Sequence, residues 1–501
     1  MRLHTIIVSI AMMRAVAAAG GAPEDSFDFE TLRFRAKTLA TRPYIARASR
    51  VPKFLLDYTY DQYRDIRFDP AHTLWRPEQL PFQLQFFHSG WLYRTPVQIN
   101  ELNDGEASPI KFSSRLFDYG RNRRSGRIPE DMGFAGFRIL HDLNKPGDEL
   151  ASFLGASYFR VLCEQAHYGL SARGLALNTA DPGGEEFPSF EEFWIERPQP
   201  GAKRLRVYAL LDGPSVTGAY QFNFVPGPAT VVHVRAVIFC RQSATTLGMA
   251  PLTSMFWHGE NSLPQAADFR PEVHDSDGLL IENGRGEWIW RPVTNPSRAR
   301  VTSFLDDNPR GFGLLQRDRQ FSHYEDLEAY YHLRPSVWVE PLGPWGSGAV
   351  RLVELPTVNE FNDNIVAFWR PDQLPPPGEP IVFEYRLHWM IETGQRPAHG
   401  FTSMTKIAEV QNEPGSKRFV LEFDGPYLNR QPDDPAVKAV VTVGDGAILR
   451  HTVVQKNRFT GAWRVMFTIA PDGSGREVEL RCFLRKHEHA LTETWSYLWS
   501  P

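Results

Sequence analysis

Val232-His233-Val234-Arg235-Ala236-Val237-Ile238 places Val232, Val234, Ala236 and Ile238 on one face of an extended chain and His233 and Arg235 on the other. This period of two marks a half-buried antiparallel strand, because successive side chains leave opposite faces of the pleat. The same alternation sets Phe82, Leu84 and Phe86 against Gln83 and Gln85, and runs through Leu205, Val207, Ala209 and Leu211. With 39 Pro and 38 Gly punctuating the chain between such runs, the fold class reads as mainly β. The clearest helix lies near the N-terminus. Ser26 or Asp28 can cap a segment carrying Phe29, Leu32, Ala36 and Leu39 on one side, and Pro43 follows its end.

Pro375, Pro376 and Pro377 precede an apolar strand over 381–387, and a polar stretch from 393 to 399 follows it. The domain boundary is expected there, with one large domain over 23–392 and a smaller one over 393–501. The second contains short alternating runs: Phe419, Leu421 and Phe423; Ala439, Val441 and Val443; Trp463, Val465 and Phe467; Val478 to Leu484; Trp495, Tyr497 and Trp499. Their size and spacing match an immunoglobulin-like sandwich.

A chain of 501 residues has room for two or three domains. Lys and Arg total 55 against 59 Asp and Glu, a net charge of −4 without the basic excess a nucleic-acid binder uses on phosphates. Aromatic residues form 13% of the chain, which suits both strand-built cores and sugar binding. Cys163, Cys240 and Cys482 are too few and scattered for a zinc cluster and allow one disulfide at most. Cys482 falls in the apolar register of Val478, Leu480 and Leu484, so it reads as a buried strand thiol. Met1-Arg2 and an apolar run over 3–19, ending in Ala17-Ala18-Ala19 before Gly20-Gly21, read as a signal peptide over 1–22. No other stretch is long and apolar enough to span a bilayer, so no membrane insertion of the mature chain is expected.

The chain lacks a phosphate loop, a dinucleotide glycine fingerprint, a paired-His zinc helix and a serine-hydrolase elbow. His487-Glu488-His489 could attract a metal, but no third ligand accompanies the two histidines on their short strand, so it reads as surface. Two acid-rich segments remain. Arg270-Pro271-Glu272-Val273-His274-Asp275-Ser276-Asp277-Gly278 reads as a strand end entering a loop, and Asn359-Glu360-Phe361-Asn362-Asp363-Asn364 precedes an apolar strand. Glycosidic cleavage needs a protonated acid for the leaving oxygen and a base, or a relay to one, for the attacking water. Asp275 and Asp363 are the candidates, and from the residues alone a purely local role in turns and Asx caps stays open.

At these segments the chain resembles the periplasmic glucan biosynthesis family, MdoG or OpgG/OpgD, with a match from Phe27 almost to the C-terminus. The stretches carrying it include Tyr60-Asp61-Gln62-Tyr63-Arg64-Asp65-Ile66-Arg67-Phe68, Leu252-Thr253-Ser254-Met255-Phe256-Trp257 and Glu287-Trp288-Ile289-Trp290-Arg291-Pro292. Gly311-Phe312-Gly313-Leu314-Leu315-Gln316-Arg317 and residues 153–160 and 168–176 add to them. The resemblance implies a large mutarotase-like β-sandwich joined to an immunoglobulin-like domain, in a periplasmic protein that makes osmoregulated glucans with a β-1,2-linked glucose backbone. Members are known as inverting β-1,2-glucanases. Position by position, Asp363 matches the general acid and Asp275 the proposed base, with Asp363 expected to be kept protonated by Glu360 or apolar walls. Glu360, Tyr331, His274 and Trp257 become expected cleft residues that bind sugar by stacking or hydrogen bonds. The implied partners are the β-1,2-glucan and a membrane-bound glucan synthase, with no metal or organic cofactor. The family often has Asn-Glu-Thr-Asn-Asp-Asn where this chain has Phe361 in place of Thr. Losing that hydroxyl favours transfer to a sugar over attack by water, so a transglycosylase, possibly cyclising, is the alternative reading; a non-catalytic glucan-binding scaffold is a third.

Overall fold

The computed structural model describes residues 26–501 except 123–125, 243–245, 263–267, 392–396 and 398. The expected signal peptide and most of the expected domain junction fall outside the described residues. The strand Ala229–Cys240 lies in the middle of a fifteen-stranded sheet, antiparallel to Val216–Val225 on one side and Pro380–Met390 on the other. Val232, Val234, Ala236 and Ile238 face the main core, as their alternation requires. Beyond Arg235 both faces become buried, because the helix Phe29–Ala40 covers the outer one. Its Phe29, Leu32 and Ala36 pack on Trp194, Tyr208, Val237 and Phe239. Of the two caps open in the sequence, Asp28 makes the bond, accepting the Thr31 N–H at 2.7 Å.

A ten-stranded sheet faces the large one. Gln83–His88, Phe134–His141 and Asp148–Leu154 form one end of it, and Ile365–Pro371, Ser347–Glu354 and Arg300–Asp307 the other. Aromatic rings fill the space between the sheets: Phe137 meets Phe193 at 5.0 Å and Phe153 meets Phe222 at 5.4 Å, both edge-on. Such geometry matches the quadrupoles of the rings while excluding water from both sheets.

From Phe401 onward a four-stranded sheet packs through Phe419 and Phe467 onto Trp495. The strands opposite it, Val437–Val443, Val478–Lys486 and Thr494–Trp499, extend the fifteen-stranded sheet, because Thr494–Trp499 runs parallel to Trp288–Pro292 with Trp495 beside Trp290. Leu280, Trp290, Leu315, Trp338 and Met390 accordingly belong to the C-terminal core. Arg317 reinforces the junction, ion-paired to the fully buried Glu493 and stacked 3.6 Å over Trp290. All three cysteines are buried and free, Cys482 on the inner face of its strand. His487 and Glu488 form an exposed turn between Val478–Lys486 and His489–Ala490 instead of lying along one strand. Among the described residues no helix is long and apolar enough to cross a membrane.

Candidate functional site

Asp275 and Asp363 arrive from opposite sheets. Asp363 closes the loop that feeds Ile365–Pro371 of the ten-stranded sheet, whereas Asp275 follows the short strand Val273–His274 and precedes Gly278–Glu282 of the fifteen-stranded sheet. Phe256 is the neighbour they share. The buried side chain of Asn364 accepts the Phe256 N–H at 2.8 Å and donates to the carbonyls of Phe256 and Leu355 at 3.0 and 2.9 Å. On its other side Phe256 pairs with His274, and the Asp275 N–H donates to the Met255 carbonyl at 2.8 Å. The hydroxyls of Ser254 and Ser276, 2.8 Å apart, repeat the link one step away. Each aspartate is thus one residue from a group bonded to Phe256, which fixes both main chains.

Asp275 is 4% exposed and accepts a charge-assisted bond from Arg334, whose guanidinium also lies 4.2 Å over the Tyr331 ring. Asp363 is open to solvent. Protein crowding its carboxyl nevertheless pushes its pKa above the ordinary carboxylate range. The charge of Asp275 adds to the rise, while Arg160, Arg173 and Arg334 oppose it. The two aspartates, remote in sequence, therefore sit in one electrostatic field.

Glu360, expected beside Asp363 as the source of that rise, is engaged elsewhere. It accepts the Tyr331 hydroxyl at 2.6 Å and Arg270 at 2.7 Å. Arg270 also binds Asp268 at 2.7 Å and Asp326 at 2.8 Å, so one guanidinium ties three loops together. Trp257 is half-buried against Met255, Val273, Tyr324 and Tyr331. Glu360, Tyr331 and Trp257 are thus gathered around the Arg270 and Arg334 contacts, but Tyr331, expected in the cleft, is 2% exposed, with its hydroxyl given to Glu360 and its ring under Arg334.

His274 differs from the cleft residue expected: it is 1% exposed and both ring nitrogens are used within the protein. Gln316 donates its amide to the carbonyls of His274 and Tyr331 at 2.9 and 3.2 Å, which leaves its oxygen as the acceptor 2.9 Å from His274 Nδ1. The Glu272 carboxylate faces Nε2 at 2.8 Å. Two acceptors require two donors, so the ring is an imidazolium. Burial alone would lower its pKa, but Asp277 and Glu272 overcome that and raise it to about 9. The ligand atoms of Glu272, His274 and Asp277, and of Glu272, Asp318 and His323, lie close enough to surround a cation. In the first set the doubly donating His274 offers a metal no lone pair, and in the second His323 Nδ1 is already paired with Asp318.

Nothing in the sequence marks Arg160, Arg173, Arg270 or Arg334 for a role at the site. Arg160 and Arg173 lie in the family-like stretches 153–160 and 168–176; folding pairs Arg173 with Glu185 at 2.6 Å and brings the charges of both arginines to bear on Asp363. Arg334 has no local signature, since what it binds is 59 residues away in sequence.

Residues 27–499 match the family model described as "Periplasmic glucan biosynthesis protein, MdoG". The chain is 46% identical to "Glucans biosynthesis protein G" of Ralstonia nicotianae, with all of both chains covered. It is 43% identical to "Probable glucans biosynthesis protein D" of Shewanella oneidensis, across 100% of this chain and 94% of that one. Identity to "Glucans biosynthesis protein G" of Rhodopseudomonas palustris is 47%, across 95% of this chain and 94% of the relative. With the match spanning both sheets and both aspartate loops, the chain belongs to the MdoG family of periplasmic glucan biosynthesis proteins.

Proposed function

We propose that this periplasmic protein cleaves the β-1,2-linked glucose backbone of a glucan with inversion, Asp363 acting as general acid and Asp275 as base. The observation that carries this reading is the pairing of unlike environments: the carboxyl of Asp363 is pushed up, and that of Asp275 faces Arg334. A catalytic acid must hold its proton at working pH, whereas a base is favoured beside a cation. Glu360 and Trp257, both half-buried, form a wall suited to sugar hydroxyls and faces, while the buried Tyr331 and His274 act behind it as positioning residues. The aromatic interior between the sheets supports a mutarotase-like sandwich, and the four-stranded sheet over Trp495 supports an immunoglobulin-like one. The glucan is the substrate, and a membrane-bound glucan synthase is its source.

One observation favours transglycosylation as the second reading. Phe361 is 85% exposed two residues before Asp363. An apolar ring there offers an incoming sugar a face and sheds water when the sugar binds. Incubation with linear β-1,2-glucan separates the readings: hydrolysis yields new reducing ends, while cyclising transfer yields products lacking the mass of an added water. A glucan left intact supports the scaffold.

A further inference from the structure

Four aromatic rings, of Tyr60, Tyr63, Trp91 and Tyr93, gather outside the loops that carry Asp275 and Asp363. Tyr60 meets Trp91 at 5.3 Å, Tyr63 meets Trp91 at 5.8 Å and Tyr63 meets Tyr93 at 5.4 Å. Tyr60 is 55% exposed and Leu92, between Trp91 and Tyr93, 62% exposed, so the cluster stands at the surface.

The backbone beneath it is unusual. Gly90 and Tyr93 exchange hydrogen bonds at 3.0 and 2.8 Å, closing a hairpin tip whose two central residues are Trp91 and Leu92. Trp91 has a φ of 52°, in the left-handed region that favours glycine at this position of a tight turn and is disfavoured for a bulky side chain. Its N–H is held by the Leu55 carbonyl at 2.8 Å. Nothing about the turn calls for an indole. Strain of this kind collects where a side chain must be presented in a set direction.

A series of neighbours links Tyr93 to the surroundings of Asp363. Tyr93 lies against Gly155, whose positive φ and missing Cβ let the ring approach the turn before Tyr158–Val161. Tyr158 and Arg160 project from the same face of that strand, since Phe159 and Val161 between and beyond them are buried. Tyr93 lies within reach of the charge of Arg160, and Arg160 and Tyr158 both act electrostatically on, or feel, Asp363. A cavity of about 350 Å³ joins Tyr93 to Tyr158, with Arg47, Arg94 and Glu191 on its walls. Rings that present apolar faces, beside Arg94 and the ion pair that Arg47 and Glu191 form at 2.8 Å, match the chemistry of a pyranose.

We propose that Trp91, Tyr60 and Tyr93 form a distal glucan subsite that stacks glucose units several residues along the chain from the bond cleaved at Asp363. This rests on the reading of the protein as a β-1,2-glucan enzyme. The subsite gives long chains an affinity advantage over short ones that reach only the surroundings of Asp363, and binding energy from such remote units steers the chain into the cleft.

The test uses the full chain carrying Asp363→Asn, so that ligands stay intact, with and without Trp91→Gly. Glycine suits the turn, so this variant keeps the hairpin; Tyr60→Ser, on the exposed side of the cluster, is the second variant. Calorimetric titration with short and long linear β-1,2-gluco-oligosaccharides reads the ratio of their affinities. The subsite predicts that Trp91→Gly lowers the long-to-short ratio about tenfold, equivalent to about 1.4 kcal/mol, and that Tyr60→Ser moves it the same way. An unchanged ratio in both variants, with the long chain still bound, overturns the subsite and leaves the proposed activity standing. Failure of the unmodified chain to bind or cleave the long glucan overturns both.

Discussion

Replacing Arg270 with Met removes the cation that Asp268, Asp326 and Glu360 share, and the cost follows from their burial. The side chains are 11% exposed for Arg270, 11% for Asp268, 8% for Asp326 and 23% for Glu360. Breaking a buried ion pair by removing one partner costs about 3–5 kcal/mol, because the remaining charge is left uncompensated. Part of that is offset here: Asp326 still accepts the N–H groups of Glu328 and Ala329 at 2.8 and 2.6 Å, and Glu360 keeps the Tyr331 hydroxyl. The expected loss for Arg270→Met is therefore about 2–4 kcal/mol near neutral pH. Arg270→Lys retains the charge but not the planar fork, and should lose about half as much. Urea denaturation of the wild type and both variants measures the difference. It should also depend on pH with a known sign. Arg270 holds the Asp268 carboxyl down to about 2 from 3.8, so that share of the stability is present above pH 3.8 and disappears as pH falls through about 2. A loss below about 0.5 kcal/mol at pH 7, the range of ordinary surface substitutions, would refute the hub. So would a loss that stays constant down to pH 2.

Two further predictions concern titratable groups behind the site, the buried His274 and the half-buried Glu260. His274, raised from 6.5 to about 9, adds stability that is fully present below pH 6.5 and is lost as pH rises through about 9. Its ring resonances should still report an imidazolium at pH 8, and His274→Gln should remove that portion of the pH dependence; a ring neutral at pH 7 would contradict the two-acceptor geometry. Burial pushes the Glu260 carboxyl up to about 8, against its bond from the Thr405 N–H, with Glu272 and Asp277 adding to the rise. Its contribution likewise fades as pH climbs from 4.5 through about 8, so Glu260→Gln should gain thermal stability over the wild type at pH 9 compared with pH 5. Equal melting temperatures relative to wild type at both pH values would rule this out.

The strands were legible because burial on one face imposes a period of two, and the runs at 232–238, 205–211, 419–423 and 478–484 all lie in strands of the structure. The helix at Phe29–Ala40 was legible for the matching reason, with its cap narrowed to two residues. What could not be read was how strands from distant segments join. The pairing of Trp290 with Trp495 runs one sheet from the large body into the C-terminal strands, and no local pattern in either segment announces it. The aspartates followed the same logic: loops rich in acids could be seen, and the resemblance singled out Asp275 and Asp363. Their common anchor on Phe256 depends on Asn364 and His274 closing around a third segment. The burial of His274 against Glu272 has no sequence signal, because a histidine beside a candidate base looks the same in sequence whether it faces a cleft or a buried carboxylate. The arginines escaped notice because a cation's role is set by the carboxylate that folding brings to it.

The most direct test of the central claim is incubation of the purified protein, and of Asp363→Asn, with linear β-1,2-glucan while following reducing ends and product masses. The wild type should release new reducing ends, at a rate lower by about 10²–10⁴-fold in the variant, the usual contribution of a positioned acid. Glucan left intact by both proteins, or cleaved equally by both, would contradict that claim.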